Sequence, residues 1–537
     1  MKYKYYKNYI PLLLLLLSIP LVACSTTAKN WSWDSHDSLQ ADAPKNIQSL
    51  LNELSTKNAS DTELDITLPY DGTVFPPEIA APLISWNDTN ETSSGWLIEI
   101  TFGDGREPVY AYSSEQEYAP DKTIWEIIKA NSIDTPATIS IHGFDDAGKR
   151  TATASSITIS TSRDPVDATI LYRQVPLPFM VGAENFKKLK WRIGDIASYD
   201  EPPVIMENLT TCASCHQVSK DGKHIAMELN YKGDSGAHFV AEANEDMHLG
   251  DKDFITWTDF PKPELLPTTR GLFAKLSPSG EYMVSTVNEI SYAAVTNDPE
   301  FSQLFFPTYG VLGWYSMETK QFNLLPGADD TDYVQTDPSW SWDEQSIAFS
   351  RAPTKNEYHE DITRIKTHFE EKNVHELNTE FPIQFDIYTV PFNEGNGGEA
   401  TPLRGASNNG MSNYFPRYSP NGEWIVFTRS RTGIMLQPDS ELFIIPAQGG
   451  EARKMRCNRT LFNSWHSFSP NGKWMLFSSK VNSPYTEIYL THIDENGMDS
   501  PPVYLSRFSS DEYAANLPEF VNLKPGAIKR IRVDNHN

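Results

Sequence analysis

The chain has 537 residues, enough for two or three domains each with a sizeable core. Its 71 acidic against 45 basic residues give a formal net charge of -26, which argues against nucleic acid and anionic lipid as partners of the folded surface. There are four cysteines, Cys24, Cys212, Cys215 and Cys457, far too few for a disulfide framework.

Lys2, Lys4 and Lys7 form a basic start, followed by an apolar run over residues 12–22 that is too short to span a bilayer comfortably. It ends in Leu21-Val22-Ala23-Cys24. This resembles a bacterial lipobox, which implies a signal peptide over residues 1–23, lipidation of Cys24 and export to the cell envelope. Ser25 stands where Asp would hold a lipoprotein at the inner membrane, so the resemblance implies an outer-membrane anchor facing the periplasm or the cell surface. Acyl chains on Cys24 would tie the protein to the membrane without a transmembrane helix.

Residues 24–63 are rich in Ser, Thr, Ala, Asn and Asp and read as a tether with one short helix near residues 47–54. Short alternating strands then follow. Trp96-Leu97-Ile98-Glu99-Ile100-Thr101-Phe102 runs into Gly103-Asp104-Gly105. Ala137-Thr138-Ile139-Ser140-Ile141-His142 and residues 154–160 repeat the period of two. The pattern predicts a β-sandwich over residues 64–164. It resembles an immunoglobulin or fibronectin type III domain, which implies a spacing or docking role. Arg163-Asp164-Pro165 reads as its boundary.

The rest of the chain repeats itself. Ser419-Pro420-Asn421-Gly422-Glu423-Trp424-Ile425-Val426-Phe427 has a near copy at Ser469-Pro470-Asn471-Gly472-Lys473-Trp474-Met475-Leu476-Phe477. Further copies begin at Ser277 and Ser219, and degenerate ones at Ser341 and around Asn516-Leu517-Pro518-Glu519-Phe520-Val521. Each reads as strand, tight turn, strand. The motif resembles the repeat of TolB-like β-propellers, related to WD40-type blades. The expectation is an all-β chain with a six-bladed propeller over residues 165–537. Strands within residues 168–175 would close the ring by pairing with the last blade, which removes the open sheet edges.

Thr211-Cys212-Ala213-Ser214-Cys215-His216 precedes the turn of the first blade and carries C-x-x-C-H. That is the attachment signature of a c-type haem, with thioether bonds from Cys212 and Cys215 and iron ligation by His216. A buried disulfide, a redox pair or half a zinc site remain open for the two cysteines. His466 stands three residues before its anchor serine, as His216 does, so it is the candidate distal ligand. Met180, Met206, His238, Met411 and a five-coordinate haem stay open, whereas Met227 and His224 align with strand positions that pack. His359, His368 and His375 lie in a polar, partly helical stretch over residues 357–377 that reads as a solvated insertion. Cys457 reads as a small buried hydrophobe.

The joining of these elements resembles the architecture of the alpha-subunit type of hydrazine synthase, where a haem-bearing segment accompanies a propeller. The likeness carries no reaction over, since one C-x-x-C-H cannot support multi-haem chemistry. Three functions follow as expectations. One is a lipid-anchored haem protein that passes single electrons to a redox partner or senses a ligand. The second is a scaffold for envelope proteins, and the third is a haem enzyme acting on a small molecule.

Overall fold

A computed structural model describes residues 32–33, 47–54, 62–154, 156–261, 268–296, 298–355 and 366–534. Six sheets, each built on four antiparallel strands, follow one another and form a six-bladed β-propeller. Blade 1 starts with the inner strand Ala213–Val218, and blades 2 to 5 start with Leu272–Leu276, Tyr333–Trp340, Ser412–Tyr418 and Asn463–Phe468.

The repeated turn explains why the motif recurs. Ser469 Oγ donates to Asn471 Oδ1 at 2.7 Å and accepts from the Trp474 amide at 3.0 Å, closing the loop on itself. Ser419 does the same with Asn421 and Trp424, and Ser219 with Asp221 and His224. Gly422 and Gly472 sit at φ 73 and 71, a left-handed conformation that glycine adopts without steric penalty. The degenerate copy at Ser341 keeps this geometry with Glu344 at φ 60.

Blade 6 is made from both ends of the propeller. The C-terminal strand Tyr513–Val521 is its inner strand and pairs antiparallel with Thr169–Pro176, from Thr169 opposite Val521 to Pro176 opposite Tyr513. Lys190–Gly194 and Val204–Met206 complete that sheet. This is why the copy at Asn516 breaks off after one strand: its second strand comes from the front of the propeller. A further tail strand, Arg530–Val533, pairs in parallel with Asp246–Leu249, which lies between the two outer strands of blade 1 in sequence, and the two form a separate small sheet. Lys529–Glu245 and Arg532–Asp246 ion pairs accompany it.

The N-terminal unit is β-rich, with Val109–Ser113, Gly95–Phe102, Ala137–Phe144 and Arg150–Ala154 side by side. It also contains an unanticipated helix, Lys122–Ala130, capped by the Asp121 carboxylate on the Ile124 amide at 2.9 Å. Its core merges with that of blades 5 and 6, because Phe75, Trp125 and Ile159 share one buried cluster with Trp474, Leu476 and Phe520. The stretch expected as a tether is partly docked. Ser32–Trp33 pairs with Val109 and Tyr110, and the helix Ile47–Leu54 buries Leu50 against Leu97 and Phe144. Cys24 and the leader lie outside the described residues.

The insertion in blade 3 also differs from its expectation. Lys366–Glu370 is a strand that pairs in parallel with the long strand Tyr282–Thr296, and Val374–Glu380 is a helix with Leu377 fully buried. The apolar face of this segment packs on the extended hairpin of blade 2. His359 lies outside the described residues, His368 is on the paired strand and His375 is exposed on the helix.

Removing the last strand tests ring closure. A chain ending at Glu512 should lose the cooperative unfolding transition seen by circular dichroism. The milder Phe520→Ala should keep the fold and lower stability by about 3–5 kcal/mol in denaturant titration. Equal midpoints for Phe520→Ala and the parent would contradict this packing.

Candidate functional site

All six inner strands turn their side chains into one central channel. In blades 1 to 5 the pairing register shifts just before the repeat turn. In blades 2 to 6 a non-glycine residue at this irregularity has positive φ: Phe273, Asp337, Phe415, Trp465 and Leu517. A bulge breaks the strict alternation of strand side chains, so neighbouring residues can face the same space. Cys215 holds the equivalent place in blade 1. All six of these residues line one cavity of about 310 Å³, here called the motif-side chamber.

Two residues further along each strand stand Gln217, Lys275, Ser339, Arg417, Ser467 and Glu519. They line a second cavity of about 160 Å³ at the repeat-turn face, the turn-side chamber. Lys275, Arg417 and Glu519 border both chambers. A charged septum therefore crosses the channel, with Lys275 3.7 Å from Glu519 and Arg417 3.6 Å from Asp337.

Cys212, Cys215, His216 and His466 all line the motif-side chamber. Cys212 keeps open surface, Cys215 is half-buried, and both are free thiols. Burial pushes both thiols up, away from the lowered range of an activated redox pair. Cys212 immediately precedes the strand Ala213–Val218 and Cys215 lies within it, and the nearby Arg173 guanidinium only partly offsets the upward push of burial. Cys457 is fully buried in the blade 4–blade 5 core, with its amide donating to Asp499 Oδ2 at 2.7 Å.

The two histidines are equivalents two blades apart, with blade 6 between them. His216 Nε2 donates to the Leu171 carbonyl at 3.2 Å, and His466 Nε2 donates to the Val426 carbonyl at 2.9 Å. Leu171 and Val426 hold corresponding places on the second strand of the preceding blade. Burial lowers the histidine pKa values to about 4 and about 3, so both rings are neutral at pH 7. With the proton on Nε2, the lone pair sits on Nδ1. In both residues Nδ1 is buried without a hydrogen-bond partner.

The other candidate ligands do not line this chamber. Met206 and Met227 are buried in a blade core, and His238 is tied through Nδ1 to the Gly236 carbonyl at 3.2 Å beside Trp257. Met180, His224 and Met411 are partly exposed outside it. Sequence reasoning missed Arg173, Glu228, Arg270, Asp337 and Met435, which all border the chamber. Asp337 stands four residues before Ser341, as Trp465 does before Ser469, one place ahead of the offset that found His466. Arg173, Glu228 and Met435 lie on strands and loops outside the repeated motif and carry no such signal.

No known protein family matches the sequence, and no curated protein matches it. Among solved structures, one of TolB from Agrobacterium tumefaciens is similar, at 14% identity over 68% of this chain and 94% of that one, with a TM-score of 0.34. A Dos1 propeller covers 74% of this chain and 89% of its own at 9% identity and a TM-score of 0.32. An oligogalacturonate lyase from Vibrio parahaemolyticus covers 57% of this chain and 69% of its own, with 9% identity and a TM-score of 0.33. The six-bladed fold rests on the sheets described above. Among the described residues no cluster of three or more His, Cys, Asp and Glu is arranged to hold a metal ion, and no helix is long and apolar enough to cross a membrane.

Glu289 gives a pH signature. It is buried, its Oε1 accepts from the Arg270 amide at 2.5 Å, and its Oε2 has no partner. Burial raises its pKa to about 8 from an ordinary value of 4.5. Between those pH values the folded state keeps a proton that the unfolded state has lost, so stability falls as pH rises through this window. Glu289→Gln should therefore show a smaller loss of Tm than the parent between pH 5 and pH 9. Parallel Tm profiles would contradict the buried, protonated carboxyl.

Proposed function

We propose that this chain is an exported c-type haem protein that exchanges single electrons or senses a small ligand at the cell envelope. The observation that carries the reading is the shared chamber: two free thiols and two neutral imidazoles line it, and each imidazole keeps a buried Nδ1 without a hydrogen-bond partner. Metal-bound histidines commonly donate their other ring N–H to a carbonyl, which fixes the tautomer and the ring orientation. His216 and His466 already make that bond to Leu171 and Val426. The residues therefore fit the group that C-x-x-C-H implies.

In this reading Cys212 and Cys215 would hold the haem as thioethers, and His216 and His466 would supply nitrogen ligands to its iron. The haem supplies iron that changes oxidation state by one electron. The chain's part is to fix the two ring orientations and to set the polarity around the iron, both of which tune the potential. The envelope location rests on the lipobox at Cys24. The N-terminal unit is read as an immunoglobulin-like or fibronectin type III-like sandwich that stands between the anchor and blades 5 and 6.

The test is expression of the full chain in a host with the cytochrome c maturation machinery. The expected result is covalent haem that survives denaturing electrophoresis and is lost in Cys212→Ser/Cys215→Ser. No covalent haem in a folded protein, while a control cytochrome matures in the same cells, would sink the proposal and leave a partner-binding scaffold. For the distal ligand, His466→Ala should convert a six-coordinate spectrum into one that responds to carbon monoxide on reduction. An unchanged spectrum would remove His466 from the coordination sphere.

A further inference from the structure

The molecule carries a net charge of -26, yet its motif-side chamber is biased the other way. Four cationic side chains line it, Arg173, Arg270, Lys275 and Arg417, against the three carboxyls Glu228, Asp337 and Glu519. Burial pushes Glu228 up and raises Asp337 to about 7, which moves both toward their neutral forms. The Lys275–Glu519 and Arg417–Asp337 pairs lie at the septum. That leaves Arg173 and Arg270 on the motif wall, where the buried Glu228 influences both and the buried Glu289 influences Arg270.

These two guanidinium groups have unused donors. Arg173 is 7% exposed, and its Nη1 donates to the Ala213 carbonyl at 2.8 Å, which fixes it to the strand of Cys215 and His216. Its Nε is buried with no acceptor. The Arg270 guanidinium has no hydrogen-bond acceptor among the described residues, although it lines the same chamber. An unsatisfied buried N–H on a charged group is costly, and a planar guanidinium matches a two-oxygen anion in bidentate geometry.

We propose that the motif-side chamber binds a carboxylate or similar two-oxygen anion between Arg173 and Arg270. The site stands on the cavity and the two arginines, independently of the haem reading. The anion could come from either of two sources, a free small anion or the carboxylates of a haem attached at Cys212 and Cys215, and the shared chemistry is the same.

Calorimetric titration with acetate and with nitrite tests this on the full chain, prepared both with covalent haem and without it. Haem-free protein should bind the probes at least tenfold more tightly than its Arg270→Gln variant, with partial recovery in Arg270→Lys. Retained binding in the haem-bearing protein supports the site and identifies a free anion as its occupant. Binding abolished by haem also supports it and identifies the haem carboxylates. Arg270 is half-buried and forms no inter-strand bond through its side chain, so its variants test the site even where Arg173→Gln fails to fold. Equal affinity of parent and Arg270→Gln, or no binding in the haem-free protein, would overturn the proposal. Because the haem-free protein is titrated directly, a failure to attach haem cannot imitate either result.

Discussion

The structure depends on one pairing, the antiparallel ladder between Tyr513–Val521 and Thr169–Pro176. Without it the six sheets would be an open arc with two exposed edges, and there would be no channel. The pairing also sets chemistry. It brings Leu171, the acceptor for His216, and Arg173, the donor to the Ala213 carbonyl, beside the C-x-x-C-H strand. Residues more than 300 positions apart in the chain thus share one wall. The N-terminal unit reinforces the closure, since its core is continuous with blades 5 and 6, and Trp474 Nε1 donates to the Asp164 carbonyl at 3.0 Å.

The inner-strand bulge is the second constraint. An unbroken strand would send Cys215 and His216 to opposite faces. The shift in register lets both border the chamber, and the same device in blade 5 exposes Trp465 and His466 to it. The polar consequences follow from burial. Imidazoles there lose their charge, Asp337 and Glu228 are driven toward the neutral form, and the cations that cannot lose theirs remain. The result is a cationic pocket inside an acidic molecule.

Much of this was legible in the sequence because it depends on local chemistry repeated at fixed offsets. The serine anchors, the turn glycines and the following aromatic or β-branched run gave the blades, and the offset from each anchor predicted that His216 and His466 would meet one space. The eroded copy at Asn516 was readable as a sixth blade, and its missing half was the sign of closure by the strand at Thr169. What escaped depends on tertiary context. Arg173 and Glu228 lie on second strands with no shared motif, and their role comes from which blade sits next to which. The helix Lys122–Ala130 was hidden among alternating strands, and the docking of Leu50 and Leu377 depends on apolar faces that only the folded neighbours provide.

The central claim is that the channel holds one redox-active iron between the motif strand of blade 1 and its equivalent in blade 5. Anomalous diffraction at the iron edge from crystals of the matured full chain tests it most directly. The account predicts a single iron peak inside the motif-side chamber, bounded by His216 and His466, with continuous density to Cys212 and Cys215. An iron-free chamber in a protein whose cysteines remain free thiols, or iron bound elsewhere on the molecule, would contradict it.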